Sequence, residues 1–236
     1  MIGYDNLPIN HQILLDLPFR EAIRAITHDV AKPHHQDVDL IDTPTWEALA
    51  SGLGVIDLNG TSEYLELAAL ACGDLNFMSG DYSLGGWFNW ASGDDSQIII
   101  GRYELDVGGW ELYLYEDPNL YLTLRHHHAG TIVGDHPRSA CYSGGWTQGV
   151  WHFMGVSRSG SSAVFYRNGV ALATACSVGG LVDPETCAQD MVIGVRWDKG
   201  SNHFKGKLWR PRAWPRELSA EEWAKIFEYE RHWFGV

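Results

Sequence analysis

The chain has 236 residues and 26.4 kDa, is 45% hydrophobic and 12% aromatic, and is long enough to bury roughly 70% of its unfolded surface, which excludes a disordered, collagen-like or coiled-coil protein. Thirty acidic residues against seventeen basic ones give a net charge of −13, which repels phosphate backbones and anionic lipid, so neither nucleic acid nor membrane insertion is expected. No stretch nears the roughly 18 apolar residues of a membrane span, and the first residues lack the basic head and apolar segment of a signal peptide, so the expectation is a protein made in the cytoplasm.

In chain order, 20–26 holds helix-permitting residues without a clear cap, and no helix is assigned there. Short β-branched or aromatic runs then follow one another at 82–90, 97–103, 110–116, 120–126, 151–158, 163–167, 170–175, 191–196 and 204–214, punctuated by Gly, Asp and Asn. Nine strands without long helices between them predict an antiparallel all-β protein, and two stacked sheets bury such half-apolar strands best. Asn168-Gly169 predicts a two-residue hairpin with both central residues at positive φ, and Asp117-Pro118-Asn119 predicts a Pro-initiated turn joining 110–116 to 120–126. At the C-terminus Ser219 and Glu222 form a capping box, and Trp223, Ile226 and Phe227 make an apolar stripe that should pack a short helix on the sandwich. No linker or repeat divides the chain, so one domain over 1–236 is expected.

Period-two alternation sorts the 110–126 hairpin into two faces. Trp110, Leu112, Leu114, Leu120, Leu122 and Leu124 form a core face, whereas Glu111, Tyr113, Tyr115, Tyr121, Thr123 and Arg125 form a polar, aromatic one. The second set suits stacking of sugar rings on tyrosine and hydrogen bonding of hydroxyls by Arg and Glu, so Glu111, Tyr113, Tyr115, Tyr121 and Arg125 are the candidate ligand contacts.

Charge is distributed unevenly. Residues 196–216 carry seven basic side chains against Asp198 alone, while 1–195 carry eight basic and 24 acidic ones. The stretch either balances nearby acids or forms a docking surface for self-association or a larger assembly. Cys72, Cys141, Cys176 and Cys187 lack the short spacings of zinc or redox motifs, and their state is left open. In His126-His127-His128 only the first and third share a strand face, two imidazoles without an assured third ligand.

Several segments together resemble the laminin-G-like, or concanavalin A-like, lectin and glucanase superfamily. The first strand is similar to Ile13-Leu14-Leu15-Asp16-Leu17, the strand, turn and strand to Val55-Ile56-Asp57-Leu58-Asn59-Gly60-Thr61, and the inner strand with its buried tryptophan to Tyr82-Ser83-Leu84-Gly85-Gly86-Trp87-Phe88. Trp151-His152-Phe153, the Asn168-Gly169 hairpin and Phe204-Lys205-Gly206-Lys207-Leu208 with its capped helix continue the match across about 11–232. The resemblance implies a jelly-roll sandwich of two antiparallel sheets with a short C-terminal helix, a fold that hosts lectins, glycosidases, adhesion modules and virion components.

Glycosidases of this fold carry Glu-x-Asp-x-x-Glu on one strand, and here Glu104-Leu105-Asp106 lacks its third carboxylate because Gly109 stands there. The resemblance also raises a structural calcium, for which Asp29, Asp94 and Asp95 are the acidic loop candidates, although Trp209-Arg210 replaces the acidic residues expected on the closing strand. The expected function is therefore a non-catalytic, lectin-like module binding a glycan or polysaccharide, displayed on a virion or other assembly. Its rival is a structural or decoration protein of a capsid or tail without glycan binding, and a polysaccharide-active enzyme ranks last.

Overall fold

Alternating apolar and polar side chains give sixteen strands in the computed structural model, which describes residues 7–31, 37–91, 96–116, 120–129, 138–143, 146–172 and 181–236. They are β1 (Leu15–Asp16), β2 (Ile26–His28), β3 (Asp37–Ile41), β4 (Thr45–Ala48), β5 (Gly54–Asn59), β6 (Tyr64–Leu67), β7 (Tyr82–Trp90) and β8 (Ser96–Glu104) in the first half. β9 (Gly108–Glu116), β10 (Leu120–His127), β11 (Arg138–Ser143), β12 (His152–Ser159), β13 (Ser162–Arg167), β14 (Val170–Ala171), β15 (Met191–Ile193) and β16 (Lys205–Trp214) follow, and α1 (Ala220–Glu230) closes the chain with a 3₁₀ turn, Arg231–Trp233.

The strands form two antiparallel eight-stranded sheets. One runs β14-β13-β12-β7-β16-β5-β4 with β1 beside β16, and the other runs β11-β10-β9-β8-β15-β6-β3-β2. The all-β jelly-roll sandwich with a short C-terminal helix is thus present. Where sequence periodicity yields nine strands, the structure adds β1 to β6 and β11, of which β1 to β4 and β6 have only two to five residues, too few to register a period, and the 170–175 run is a strand only at Val170–Ala171 among the described residues. The 191–196 run stops at Ile193, since Gly194 takes φ 89° and turns the chain. Residues 20–26 contain no helix and lead into β2. Asn168 and Gly169 adopt φ 51° and 76° and pair Tyr166 with Ala171, as the dipeptide requires. The Asp117-Pro118-Asn119 turn lies outside the described residues, but the register it implies, Tyr115 opposite Tyr121 and Leu114 opposite Leu122, holds.

Between the sheets lies the apolar core, with Leu84, Phe88, Leu112, Leu122, Leu124, Val156 and Leu208 at or near zero exposure. Part of the outer face of the first sheet is also buried, because α1 and the C-terminal turn lie on it. Gly85 and Gly155 face each other across β7 and β12, and a Cβ at Gly155 would come within 2.4 Å of the Trp223 ring, so only glycine lets the helix seat this low. Trp87 stacks on Phe234 at 4.0 Å, and Tyr166 stacks on Trp223 at 5.2 Å. Ser219 accepts the Glu222 N–H while Glu222 accepts the Ser219 N–H, closing the capping box that starts the helix.

At the other end of α1, Glu230 is fully buried, and its carboxylate accepts hydrogen bonds from Trp87 Nε1 at 2.8 Å and from Arg212. Arg210 reaches the same carboxylate at 3.7 Å and forms a two-point pair with Asp16 of β1, at 2.7 and 2.8 Å. A carboxylate at a helix C-terminus opposes the helix dipole, and here two guanidinium groups and an indole N–H outweigh that opposition.

Two outcomes in urea denaturation check this arrangement. Glu230→Gln leaves two buried guanidinium groups short of a countercharge and should lower stability by about 3–5 kcal/mol, whereas Glu228→Gln, which breaks an exposed pair with Arg231, should change it by less than about 0.5 kcal/mol.

Candidate functional site

The alternation on β9 and β10 falls as the residues dictate. Trp110, Leu112, Leu114, Leu122 and Leu124 enter the core, and Glu111 opposes Arg125, Tyr113 opposes Thr123 and Tyr115 opposes Tyr121 on the outer side; the Leu120 side chain lies outside those described. Exposure departs from expectation. Glu111, Tyr113 and Thr123 are buried, at 2%, 4% and 3% exposed, and so cannot meet a ligand as a sheet surface would. Gly101 on β8 has no side chain, and the Tyr103 ring occupies the space beside Glu111.

A polar network results. Glu111 accepts from His127 Nε2 at 3.1 Å, pairs with Arg125 at 3.2 Å and is hydrogen-bonded by Tyr103, whose ring stacks on His127 at 4.6 Å. Burial pushes the Glu111 carboxyl up, but His127, Arg125 and Tyr103 outweigh it and hold the group below the usual carboxylate range. Arg125 also donates to Tyr113 Oη at 2.6 Å. Of the five candidate contacts, Tyr115 and Tyr121 remain half-buried as a stacked pair 6.5 Å apart, with Arg125 part-exposed beside them.

A better-formed hollow lies on the outer face of the other sheet. A cleft of about 570 Å³ is lined by Phe19, Arg20, Trp46, Glu47, Trp209 and Trp233, together with the 52–54 turn between β4 and β5. Phe19 meets Trp46 edge-on at 6.3 Å, and Trp209 meets Trp233 edge-on at 5.3 Å. Trp209 Nε1 donates to the Pro18 carbonyl at 3.0 Å and Trp46 Nε1 to the Arg24 carbonyl at 2.9 Å, so both indoles are fixed by the 18–24 segment. Three side-chain-bearing residues of the lining, Phe19, Ala22 and Arg210, hold left-handed backbone at φ 52°, 64° and 54°. None is the Asn or Asp type that tolerates this region, and such strain persists only where the surroundings over-determine it. At Arg210 that surrounding is the pair with Asp16. Its bulge accommodates Pro211, whose missing N–H a regular central strand would not tolerate. The cleft gathers residues from 18–22, 46–54, 209–210 and 233, and sequence reasoning missed it because no local spacing joins these segments.

Other candidates find structural roles. Six of the seven basic residues of 196–216 meet carboxylates: Arg196 with Asp198, Lys199 with Glu66 and Asp190, Lys207 with Glu47, Arg210 with Asp16, Arg212 with Glu230, and Arg216 with Glu222. The stretch balances acids of its own chain, so its formal excess is not a free docking charge. Among the described residues no group of three or more His, Cys, Asp or Glu is placed to hold a metal ion. Asp94 and Asp95 lie outside the described residues, as does Cys176, and the Cys141 side chain is also outside them. Cys72 and Cys187 are buried free thiols. Asp29 is buried, and its Oδ1 accepts the backbone N–H of Asp16 and of Ala31, each at 2.8 Å, tying β1 to the following loop. His126 is likewise committed, accepting from Tyr82 Oη at 2.5 Å through Nε2 and donating from Nδ1 to the Val182 carbonyl at 2.7 Å.

These two buried groups act oppositely on stability. Burial pushes the Asp29 carboxyl up to about 7 against the pull of its two backbone donors, so ionising it destabilises the fold progressively as pH rises from about 4 to 7. Burial pushes His126 down to about 4, so its protonation destabilises the fold as pH falls from about 6.5 to 4. Asp29→Asn should therefore gain stability relative to the natural chain by about 2–4 kcal/mol on going from pH 4 to pH 7, measured as the difference between the two proteins' denaturant midpoints.

A family model described as the concanavalin A-like lectin/glucanases superfamily matches residues 59–224. No curated protein matches the sequence. Among solved structures, domain 4 of AbnA, a GH43 extracellular arabinanase from Geobacillus stearothermophilus, in complex with arabinotriose, is similar with a TM-score of 0.64 at 16% identity, over 91% of this chain and 98% of that one. The botulinum neurotoxin serotype D binding domain is similar with a TM-score of 0.62 at 13% identity, and the receptor binding domain of the C/D mosaic serotype with 0.63 at 14%. The chain spans about half the length of the toxin domains, 52% in both cases, so the likeness covers one part of them.

Proposed function

We propose that this chain, which belongs to the concanavalin A-like lectin/glucanase superfamily, is a non-catalytic carbohydrate-recognition module that binds a glycan or polysaccharide. The aromatic cleft carries the reading. Its volume lies within the range of small-ligand sites, and the half-buried Trp46 and Trp233 supply broad apolar faces on which the C–H side of a sugar ring stacks, with the buried Trp209 forming the floor beneath them. Arg20 and Glu47 stand at the lining to meet hydroxyls. Several solved relatives are named as binding or receptor-binding domains, and one holds a trisaccharide, which supports binding as the role of the fold here.

The non-catalytic part rests on the broken carboxylate motif. Asp106 is followed by Gly109 where a third acid would stand, and nothing in the cleft replaces it with a matched acid pair. The tyrosine pair Tyr115 and Tyr121 with Arg125 is the alternative contact surface, smaller than alternation alone implies because Glu111 and Tyr113 are withdrawn from it. Display on a virion or other assembly is a further step motivated by sequence alone. A capsid or tail component without glycan binding ranks second, since the basic stretch it would use is paired internally.

A glycan and polysaccharide array followed by calorimetry tests the reading. Trp46→Ala and Trp233→Ala should each weaken binding by about tenfold or more, while the Tyr115→Ala, Tyr121→Ala double variant should change it by less than about twofold. The reverse ranking would move the site to the tyrosine pair, and release of reducing ends from the bound polysaccharide would overturn the non-catalytic assignment. A salt-sensitive oligomer in light scattering, with no array signal, would favour the assembly component.

A further inference from the structure

Beside the aromatic cleft lies a second hollow of about 430 Å³, lined by Asp57, Asn59, Asn89, Gln148, Lys205 and Lys207. The two are parts of one sheet surface. Strand pairing aligns Thr45, Asp57, Lys207 and Asn89 in a row across β4, β5, β16 and β7. Alternation places Glu47 and Trp209, each two residues further along, on the same face in the next row. An ion pair links the hollows: Glu47 of the first pairs with Lys207 of the second at 2.7 Å, with both side chains about one-third exposed.

The chemistry changes across that contact. One side offers the indole faces of Trp46 and Trp233, while the other offers amides, two ammonium groups and carboxylates. Burial pushes Asp57 above its ordinary range, with Lys207 pulling the other way. Asn59 uses its Oδ1 on the Thr61 and Ser62 backbone N–H groups, at 2.8 and 3.0 Å, which fixes this edge of the hollow as a rigid turn. Asn89 donates to the Gly149 carbonyl at 3.2 Å from an exposed position. An ion pair so exposed contributes little to stability, so both partners can exchange it for hydroxyl groups at small cost. A single sugar would occupy one hollow and leave the other unused. A chain of several sugar rings would stack at Trp46 and Trp233, pass over the Glu47–Lys207 pair and hydrogen-bond along the second hollow.

We infer that the ligand is an extended saccharide chain, held along its length across both hollows, with Asn89, Lys205 and Lys207 as the contacts that read its continuation. This rests on the carbohydrate reading above. Calorimetry with xylo-, cello- and arabino-oligosaccharides, each from the disaccharide to the hexasaccharide, tests it on the full chain. For the series that binds, affinity should rise by about tenfold or more with length, and Asn89→Ala and Lys205→Ala should each shrink that long-to-short ratio toward one. Equal affinity for short and long members, or an unchanged ratio in both variants while Trp46→Ala still abolishes binding, would overturn the extended chain and leave the cleft as a site for a short sugar. Absence of binding to any of these, and to the array, would overturn both readings.

Discussion

The buried group of Asp16, Arg210, Arg212, Glu230 and Trp87 holds together parts of the chain that lie far apart in sequence. It joins the first strand, the bulge in the closing strand and the last residue of the only α-helix among the described residues. Removing four charges from water is costly, and only their mutual geometry offsets it. The consequence is positional. Such a group tolerates one arrangement, so the N-terminal segment must lie along the closing strand and the helix must end over Trp87. The cleft inherits this geometry, since Phe19 follows the anchored strand, Arg210 is itself an anchor and Trp233 follows Glu230 by three residues.

The two sheets treat their outer faces differently. One is covered by helix and aromatic rings, and the cost of a close approach is avoided by the facing glycines at 85 and 155, which leave room for Trp223. Where the helix ends, the cover ends, and the uncovered part of that sheet becomes the cleft and the hollow beside it. On the other sheet no helix intervenes among the described residues, yet Glu111 is buried, with tyrosine, histidine and arginine side chains bonded to it that satisfy its charge. A polar residue can thus be buried by its own neighbours as completely as by a second layer.

The hairpin shows where reading of residues succeeds and where it stops. Alternation placed every described residue of 110–125 on its correct face, because a strand offers only two faces and the leucines must take the dry one. It did not determine whether the polar face meets solvent. That depends on Gly101 and Tyr103 of the adjacent strand, whose proximity to Glu111 follows from sheet order and not from spacing along the chain. The basic stretch failed in the same way: a count of charges at 196–216 cannot show that the partners stand at positions 16, 47, 66, 190, 222 and 230.

By itself the sequence determined what is local: an all-β chain, the register of its central hairpin, the Asn168-Gly169 turn, and a helix begun by Ser219 and Glu222. Each depends on residues a few positions apart, whose backbone preferences and alternation act before the chain has folded. Tertiary structure decided which polar residues are buried, which charges are paired and where a ligand-sized cleft opens. Those outcomes depend on segments separated by up to about two hundred positions, as Trp209 and Pro18 are, and brought together only when the sheets stack and the buried ion pairs admit one arrangement.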